Sequence, residues 1–502
     1  MPLQLDINPQ FSRVMELIEN TSNHLFITGK AGSGKSTLLN YIKENSTKNI
    51  VVIAPTGVSA LNVKGQTIHR FFSFPINVTP EKIACFEVTP RVKRIYKQLQ
   101  TLIIDEVSML RADILDCIDI FLQIYGPDAN KPFGGVQMVF VGDLFQLPPV
   151  VSSNEMYYFS NRYLSPYFFS SEAYKKINIE IVELTKIYRQ KDINFINLLN
   201  KIRNNSATSS DLDLLNNHCQ KTNEDFIITL TATNKMADDI NKQKLDLLPS
   251  RSFISQAIID GSFSSEYFPT GETLELKEGT QVMFLNNDIK NRWVNGSLGK
   301  IEGIKLGEDK IRYLKVRLQD NAKLVDVFPY EWEIYKYSLV GKEIISDVVG
   351  SFCQFPVRLA WAVTIHKSQG QTFDNVCIDI GNGTFAAGQL YVALSRCTSL
   401  EGITLLQKIL PRHILCDERV VKFMDDNSSP KDTPVKIKRL SFAASKRQKL
   451  QITYQKINNQ TSHRIIIPRY IKGENLFAFC VQRQAQRTFK IERILDIKNF
   501  ND

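Results

Sequence analysis

The chain has 502 residues, 43 % of them hydrophobic and 23 % charged, which excludes a disordered, collagen-like or coiled-coil protein; at about 150 residues each, roughly three domains are expected. The formal net charge of +10 is confined to one end: residues 1–425 carry 46 basic and 46 acidic side chains, and the last 77 residues carry 16 and 6. A basic appendage on a neutral body is either a polyanion contact or a solvated tail, and charge alone does not choose.

Met1–Gln10 is mixed and contains Asp6, so no basic-then-apolar leader opens the chain. The runs Asn49–Pro55 and Gln137–Val141 fall far short of the ~20 apolar residues of a membrane span. The expectation is a cytoplasmic protein; association with a bacterial nucleoid is expected only from the family resemblance given below. His24–Thr28, Ile50–Ala54, Thr101–Asp105 and Met138–Gly142 read as strands apolar along their whole length, as in a parallel sheet covered on both faces. Ser36–Lys43 and Arg111–Ile124 between them have helical periodicity, and the alternation predicts an α/β domain. From Arg251 to Val349 the pattern changes to short alternating strands, at Thr280–Leu285, Gly299–Ile304, Ile311–Leu318 and Ala322–Phe328, which suggests a small β-barrel or sandwich. Leu359–Ile365 and Asn375–Ile380 return to the α/β style. Asp425–Thr433 reads as a linker, Lys436–Leu450 as a basic segment, and Arg464–Ile467, Leu476–Val481 and Arg487–Ile491 as strands of a small terminal domain. Eight cysteines form no CxxC pair and six histidines are dispersed, so neither a zinc site nor a disulfide framework is expected.

Gly29-Lys-Ala-Gly32-Ser33-Gly34-Lys35-Ser36 fits GxxxxGK[ST] between a predicted strand and a predicted helix. Its glycines turn backbone N–H groups toward phosphate oxygens, Lys35 neutralises β/γ charge and the Ser36 hydroxyl ligates Mg²⁺. Thr37 completes the nucleotide-binding turn. Leu102–Glu106 is an apolar strand ending in two carboxylates, of which Asp105 can hold Mg²⁺ and Glu106 can orient the attacking water. Val141–Pro149 ends a further strand, where Gln146 can read the γ-phosphate with Asp143 in support. Hydrolysis also needs cations for the charge developing on the γ-phosphate. Arg189 and Arg396 are suggestively placed, although by spacing alone a surface salt-bridge arginine is the commoner case for each.

Taken together, GKAGSGKST, APTGVSA (54–60), GQTIHRFF (65–72), LIIDEVSML (102–110), VGDLFQLPP (141–149), LTKIYRQ (184–190), LTATN (230–234), AWAVTIHKSQGQTFD (360–374) and YVALSRCTSLEGI (391–403) resemble superfamily 1 helicases of the 5′→3′ branch, specifically the PIF-type (petite integration frequency) family. The segment 105–126 also looks like the one that marks this family. The resemblance implies two RecA-like P-loop domains, residues 1–183 and residues 184–250 with 350–424, and a small β-barrel inserted at 251–349. ATP with Mg²⁺ would lie between the two domains, served by Lys35, Ser36, Asp105, Glu106 and Gln146 from the first and by Arg189 and Arg396 from the second. Gln369 and Gly370 would lie near the γ-phosphate. Gln10 sits where such helicases often read adenine, or is a surface residue before the first helix.

Single-stranded DNA, from forked or partial-duplex substrates, is the implied partner, bound by a monomer or by copies pairing on DNA. The matched positions are Thr56, Gly57, Thr67, His69, His366 and Lys367. Residues 71–97 stand where the family carries a strand-separating wedge, though Phe71, Phe72 and Phe74 are equally plain packing residues. The loop Asn286–Gly296, with Lys290, Arg292 and Trp293, looks like an exposed DNA-contacting loop of the barrel or a solvated loop with a packed Trp. After the linker and basic segment 425–449, residues 450–502 resemble a WYL domain through Ile452–Tyr454, Arg464–Pro468, Ala478–Cys480 and Arg483–Ile494. Glu474-Asn475-Leu476 replaces its naming tripeptide. Arg464, Arg483, Arg487 and Arg493 would bind single-stranded nucleic acid or an anionic effector. The function implied is ATP-driven 5′→3′ translocation with unwinding. The alternatives are a DNA-dependent ATPase that remodels protein–DNA complexes, and a ligand-responsive regulator.

Overall fold

The computed structural model describes residues 8–75, 77–218, 226–308, 310–427, 433–455 and 461–500, so Cys219 and the centre of the expected linker lie outside them. The chain divides into two compact units, Met1–Asp417 and Glu418–Asp502. No helix among the described residues is long and apolar enough to cross a membrane.

The first unit opens with a sheet of six parallel strands: β1 (His24–Gly29), β2 (Ile50–Ala54), β3 (Gln66–Thr67), β4 (Thr101–Ile104), β5 (Gln137–Gly142) and β6 (Ile179–Leu184), ordered β3-β2-β4-β5-β1-β6. β4 and β5 are buried at every position, and β1 and β2 at all but the first. This is the physical basis of their continuous apolar sequence, since helices cover both faces. Because every pairing is parallel, the carboxyl ends share one edge, and Gly29, Asp105 and Asp143 all leave the sheet there. β6 has only two fully buried residues, with Glu180 and Glu183 among the partly exposed ones, so it carries no apolar run to betray it.

A second parallel sheet takes Ala362–Thr364, Ile228–Thr231, Val376–Asp379 and Ile403–Leu405 in that order. Its core includes Leu230, Val363, Ile378 and Leu405, and Ala31 and Leu147 of the first half pack into the same cluster. The stretch between these strands is antiparallel. Gln281–Phe284, Leu298–Leu306, Arg312–Leu318, Leu324–Val327 and Val357–Leu359 form one five-stranded sheet around Trp293, Phe284 and Val316. Its last strand lies beyond residue 349. The long hairpin Tyr330–Val340 with Glu343–Gln354, joined by Ile258–Gly261, forms a separate three-stranded sheet.

In the second unit, Leu450–Gln455, Thr461–Lys472, Asn475–Cys480, Ala485–Lys490 and Ile494–Asn499 make a five-stranded antiparallel sheet. The basic stretch after residue 432 is not linker. Thr433–Lys446 is a helix, and Leu440 and Ala443 on it are buried against Ile452, Ile466 and Leu476. Apolar residues three apart on an otherwise basic segment explain why charge masked the helix.

Candidate functional site

The loop after β1 is shaped by its glycines. A Cβ at Gly29 would lie 2.5 Å from Ser33 Oγ, and one at Gly32 would lie 2.5 Å from Arg189 Cβ. Gly34 (φ 88°) adopts the left-handed conformation that ends the loop and starts the helix Lys35–Asn45. Lys35 Nζ donates to the carbonyls of Gly29 (2.8 Å) and Lys30 (3.2 Å), so its charge closes the loop on itself. Burial pushes the Lys35 ammonium below the usual lysine range, while Asp143, Glu106 and Asp105 counter that push. Ser33 Oγ is buried without a hydrogen-bond partner. Ser36 and Thr37 are exposed at the helix start.

Asp105 and Glu106 leave the end of β4. Burial, and then the Glu106 charge, raise the Asp105 carboxyl to about 7, and burial likewise drives Glu106 upward. Glu106 is held in the left-handed region (φ 49°, ψ 45°), a strained conformation for a side chain of its size. Gln369 joins the two halves of the unit, its Nε2 donating to Glu106 Oε2 (3.1 Å) and to Gln146 Oε1 (3.0 Å). Gly370 (φ 83°) follows with open space about its Cα.

The two arginines stand together. Arg189 donates to the carbonyls of Ser395 (3.2 Å) and Gly370 (3.1 Å). Arg396, only 1 % exposed, donates to the carbonyls of Val392 (2.9 Å) and Gln371 (3.3 Å) and to Ser395 Oγ (3.0 Å). Neither has an acidic ion-pair partner among the described residues. Burial lowers Arg189 to about 10, and burial together with the Arg189 charge lowers Arg396 to about 9. Two desolvated cations anchored only by neutral oxygens are poised for an anion.

Sequence reasoning missed a buried clasp beside them. Asp143 accepts from Arg203 Nη2 (2.8 Å) and from the Tyr391 hydroxyl (3.3 Å), and that hydroxyl accepts the Ala31 N–H of the glycine loop (3.1 Å). The Arg203 guanidinium also lies 3.8 Å from the Phe145 ring centre. Burial opposes the Asp143 charge, but Arg203 and Lys35 outweigh it and hold the carboxyl below its usual range. Nothing in the polar helix end Asn200–Asn204 signals this pairing. Gln10, by contrast, is tied to the end of β6: its Nε2 donates to the Glu183 carbonyl (2.7 Å), and its Oε1 accepts from Thr185 N–H (3.2 Å).

The positions matched to strand contacts divide. Thr56 caps the helix Gly57–Asn62, and a Cβ on Gly57 would meet the Glu266 carbonyl at 2.2 Å. Thr67 is buried, its hydroxyl 2.8 Å from Tyr267 OH. His69 is partly buried, and Lys367 is exposed. His366 is partly buried and stacks on Phe385 (6.2 Å between centres). Phe71, Phe72 and Phe74 are all buried in an aromatic cluster with Tyr96 and Phe121, so they are packing residues. In the loop Asn286–Gly296, Trp293 is 6 % exposed and stacked on Phe284, and Arg292 grips Asp288 with two bonds of 2.8 and 2.7 Å. Only Lys290 of the three is exposed and free of such a partner. In the second unit Arg483 and Arg487 are exposed, and Arg464 and Arg493 are partly buried.

A family model described as PIF1-like helicase matches residues 6–212, and one described as UvrD-like helicase C-terminal domain matches residues 359–400. The chain is 31 % identical over 434 residues to the ATP-dependent DNA helicase Pif1 of Bdellovibrio bacteriovorus, covering 84 % of this chain and 93 % of that one. Among solved structures, Bacteroides sp. Pif1 in complex with ADP-AlF4 is 38 % identical, covers 84 % of this chain and 96 % of its own, and superposes with a TM-score of 0.77. Bacteroides Pif1 bound to ssDNA, at the same 38 % identity with 84 % and 97 % covered, gives 0.61.

Proposed function

The chain belongs to the PIF1-like helicase family, and on that premise we propose how its own residues divide the work of an ATP-dependent DNA helicase. The enzyme hydrolyses ATP, binds single-stranded and forked DNA, and moves 5′→3′. One observation carries the residue assignment: Gln369, in the turn after a strand of one parallel sheet, donates to both Glu106 and Gln146, which follow strands of the other, so the carboxylate that orients water is in contact with both halves of the unit.

In this reading Gly29, Gly32, Ser33, Gly34 and Thr37 cradle the phosphates. The Lys35 ammonium exchanges the Gly29 and Lys30 carbonyls for β/γ-oxygens. The oxygen donors Ser36 and Asp105 suit Mg²⁺, which takes few protein ligands and keeps phosphate and water as the rest. When bound, Mg²⁺ supplies charge neutralisation on the phosphate oxygens. Glu106 orients the water, Gln146 and Gln369 report whether a γ-phosphate is present, and Arg189 and Arg396 stabilise the charge that develops on it. Gln10 donates to adenine only by releasing one of its Nε2 partners, the Glu183 carbonyl or the Thr185 hydroxyl.

Closing and reopening of the cleft changes the grip of each half on the strand, at Thr56, Gly57, Thr67 and His69 on one side and His366 and Lys367 on the other. We read residues 71–97 as the wedge, 251–349 together with the strand Val357–Leu359 as the barrel insert, and the second unit as a WYL-like module. Its Arg464, Arg483, Arg487 and Arg493 bind the strand or an anionic effector. ATPase rate with and without single-stranded DNA, on the full chain and on a truncation at residue 428, tests the reading. Strong stimulation of the full chain and weaker DNA affinity after truncation are expected; no stimulation of the full chain sinks it.

A further inference from the structure

Within the first unit a cavity of about 960 Å³ is lined by Asp105 and Glu106, by Thr56, His366 and Lys367, and by Arg358. No motif marks Arg358. It lies on the strand Val357–Leu359, in register with Met283. Of its five N–H groups, one on Nη2 donates to the Pro269 carbonyl (2.6 Å), while Nε is buried with no acceptor. No acidic side chain offsets its charge, and burial alone lowers the guanidinium to about 10. The Pro269 bond does not account for the charge. The same loop is already fastened to the same strand by Thr270 Oγ1, which donates to the Val357 carbonyl (2.8 Å). A neutral side chain could fill the space; a half-buried guanidinium with a buried, unsatisfied Nε–H and no acidic partner is costly unless an anion arrives.

We propose that Arg358 holds a backbone phosphate of single-stranded DNA inside this cavity. The assignment rests on the reading that the strand passes Thr56 and His366, which share the cavity wall. A planar fork with an unsatisfied Nε–H suits a phosphate, and the contact is indifferent to base.

The test measures the affinity of wild type, Arg358→Met and Arg358→Lys for oligo-dT and for a mixed-sequence strand across a salt series, together with thermal melting. Arg358→Met weakens binding roughly tenfold on both strands, and the slope of log affinity against log salt becomes shallower by about 0.7, one phosphate's worth for a single strand. Arg358→Lys restores the slope and part of the affinity. Arg358→Met melts at or above wild type, because an uncompensated, half-buried charge is gone. An unchanged slope, weakening confined to one base composition, or a lower melting temperature with unchanged affinity overturns the assignment. If the wild-type ATPase is indifferent to single-stranded DNA, the proposed function fails and takes this with it. Normal wild-type stimulation with an unchanged Arg358→Met slope removes this inference alone.

Discussion

The nucleotide cleft and the loop Asn286–Gly296 both carry arginines that the sequence singles out, and they spend them in opposite ways. Arg189 and Arg396 rest on backbone carbonyls and a hydroxyl, which orient a guanidinium without cancelling its charge. Arg292 is clamped by Asp288 and lies 4.4 Å from the Trp293 ring centre, so both its charge and its face are used inside the loop. The difference teaches that an arginine's partner decides its availability more than its exposure does. The pair in the cleft, Arg396 buried and Arg189 half-buried, is free to meet an anion, and the half-buried Arg292 is not.

The largest test of that contrast is Arg396→Ala. It should lower kcat of DNA-stimulated ATP hydrolysis by about 10³-fold or more, the loss typical of a charge acting on the transferred phosphoryl group, with DNA affinity little changed; steady-state kinetics beside binding isotherms decide. Next is Arg203→Met, which strands the Asp143 carboxylate in a dry site and should cost about 3–5 kcal/mol in denaturant unfolding. Adding Asp143→Asn should recover part of that loss, and a cycle with no coupling energy would show that the clasp is incidental. Arg292→Ala should cost about 1 kcal/mol, the upper end for a pair that still reaches solvent, and leave DNA affinity within about twofold; a large loss of affinity would erase the contrast between the two regions.

The smallest effect is read by melting between pH 8 and 5. Burial lowers the His24 imidazole, whose Nδ1 accepts the Met138 N–H (3.0 Å), so the unfolded chain takes up a proton that the fold refuses. That share of stability is present above pH 6.5 and is lost as pH falls. Hydrogen bonding from Arg292 holds Asp288 below the usual carboxylate range, so its share persists until the pH drops under about 4. The difference between wild type and Arg292→Ala should therefore be flat from pH 8 to 5, whereas His24→Gln should remove one part of the acid slope, the rest staying with His69, His366 and His413, which burial also lowers.

The same physics explains what the sequence disclosed. Four strands of the first sheet were legible because they are buried on both faces, and their site residues followed because a strand end fixes where a short side chain goes. β6 and the hairpin Tyr330–Gln354 escaped because exposed charged residues interrupt their apolar positions. Arg203 and Arg358 escaped for another reason. Each depends on tertiary neighbours far away in the chain, Asp143 for one and Pro269 for the other, and no local pattern encodes such a meeting. The Arg292 pairing did leave a trace, since Asp288 stands four residues before it.

The left-handed backbone at Glu106 carries one more consequence. Glycine or asparagine would sit there more comfortably, by roughly 1 kcal/mol or more. A library screened at this codon for heat resistance alone should therefore enrich Gly and Asn, and the survivors should be idle motors. The position is kept acidic against the preference of its own peptide geometry, and only a screen that demands work from the enzyme would keep it so.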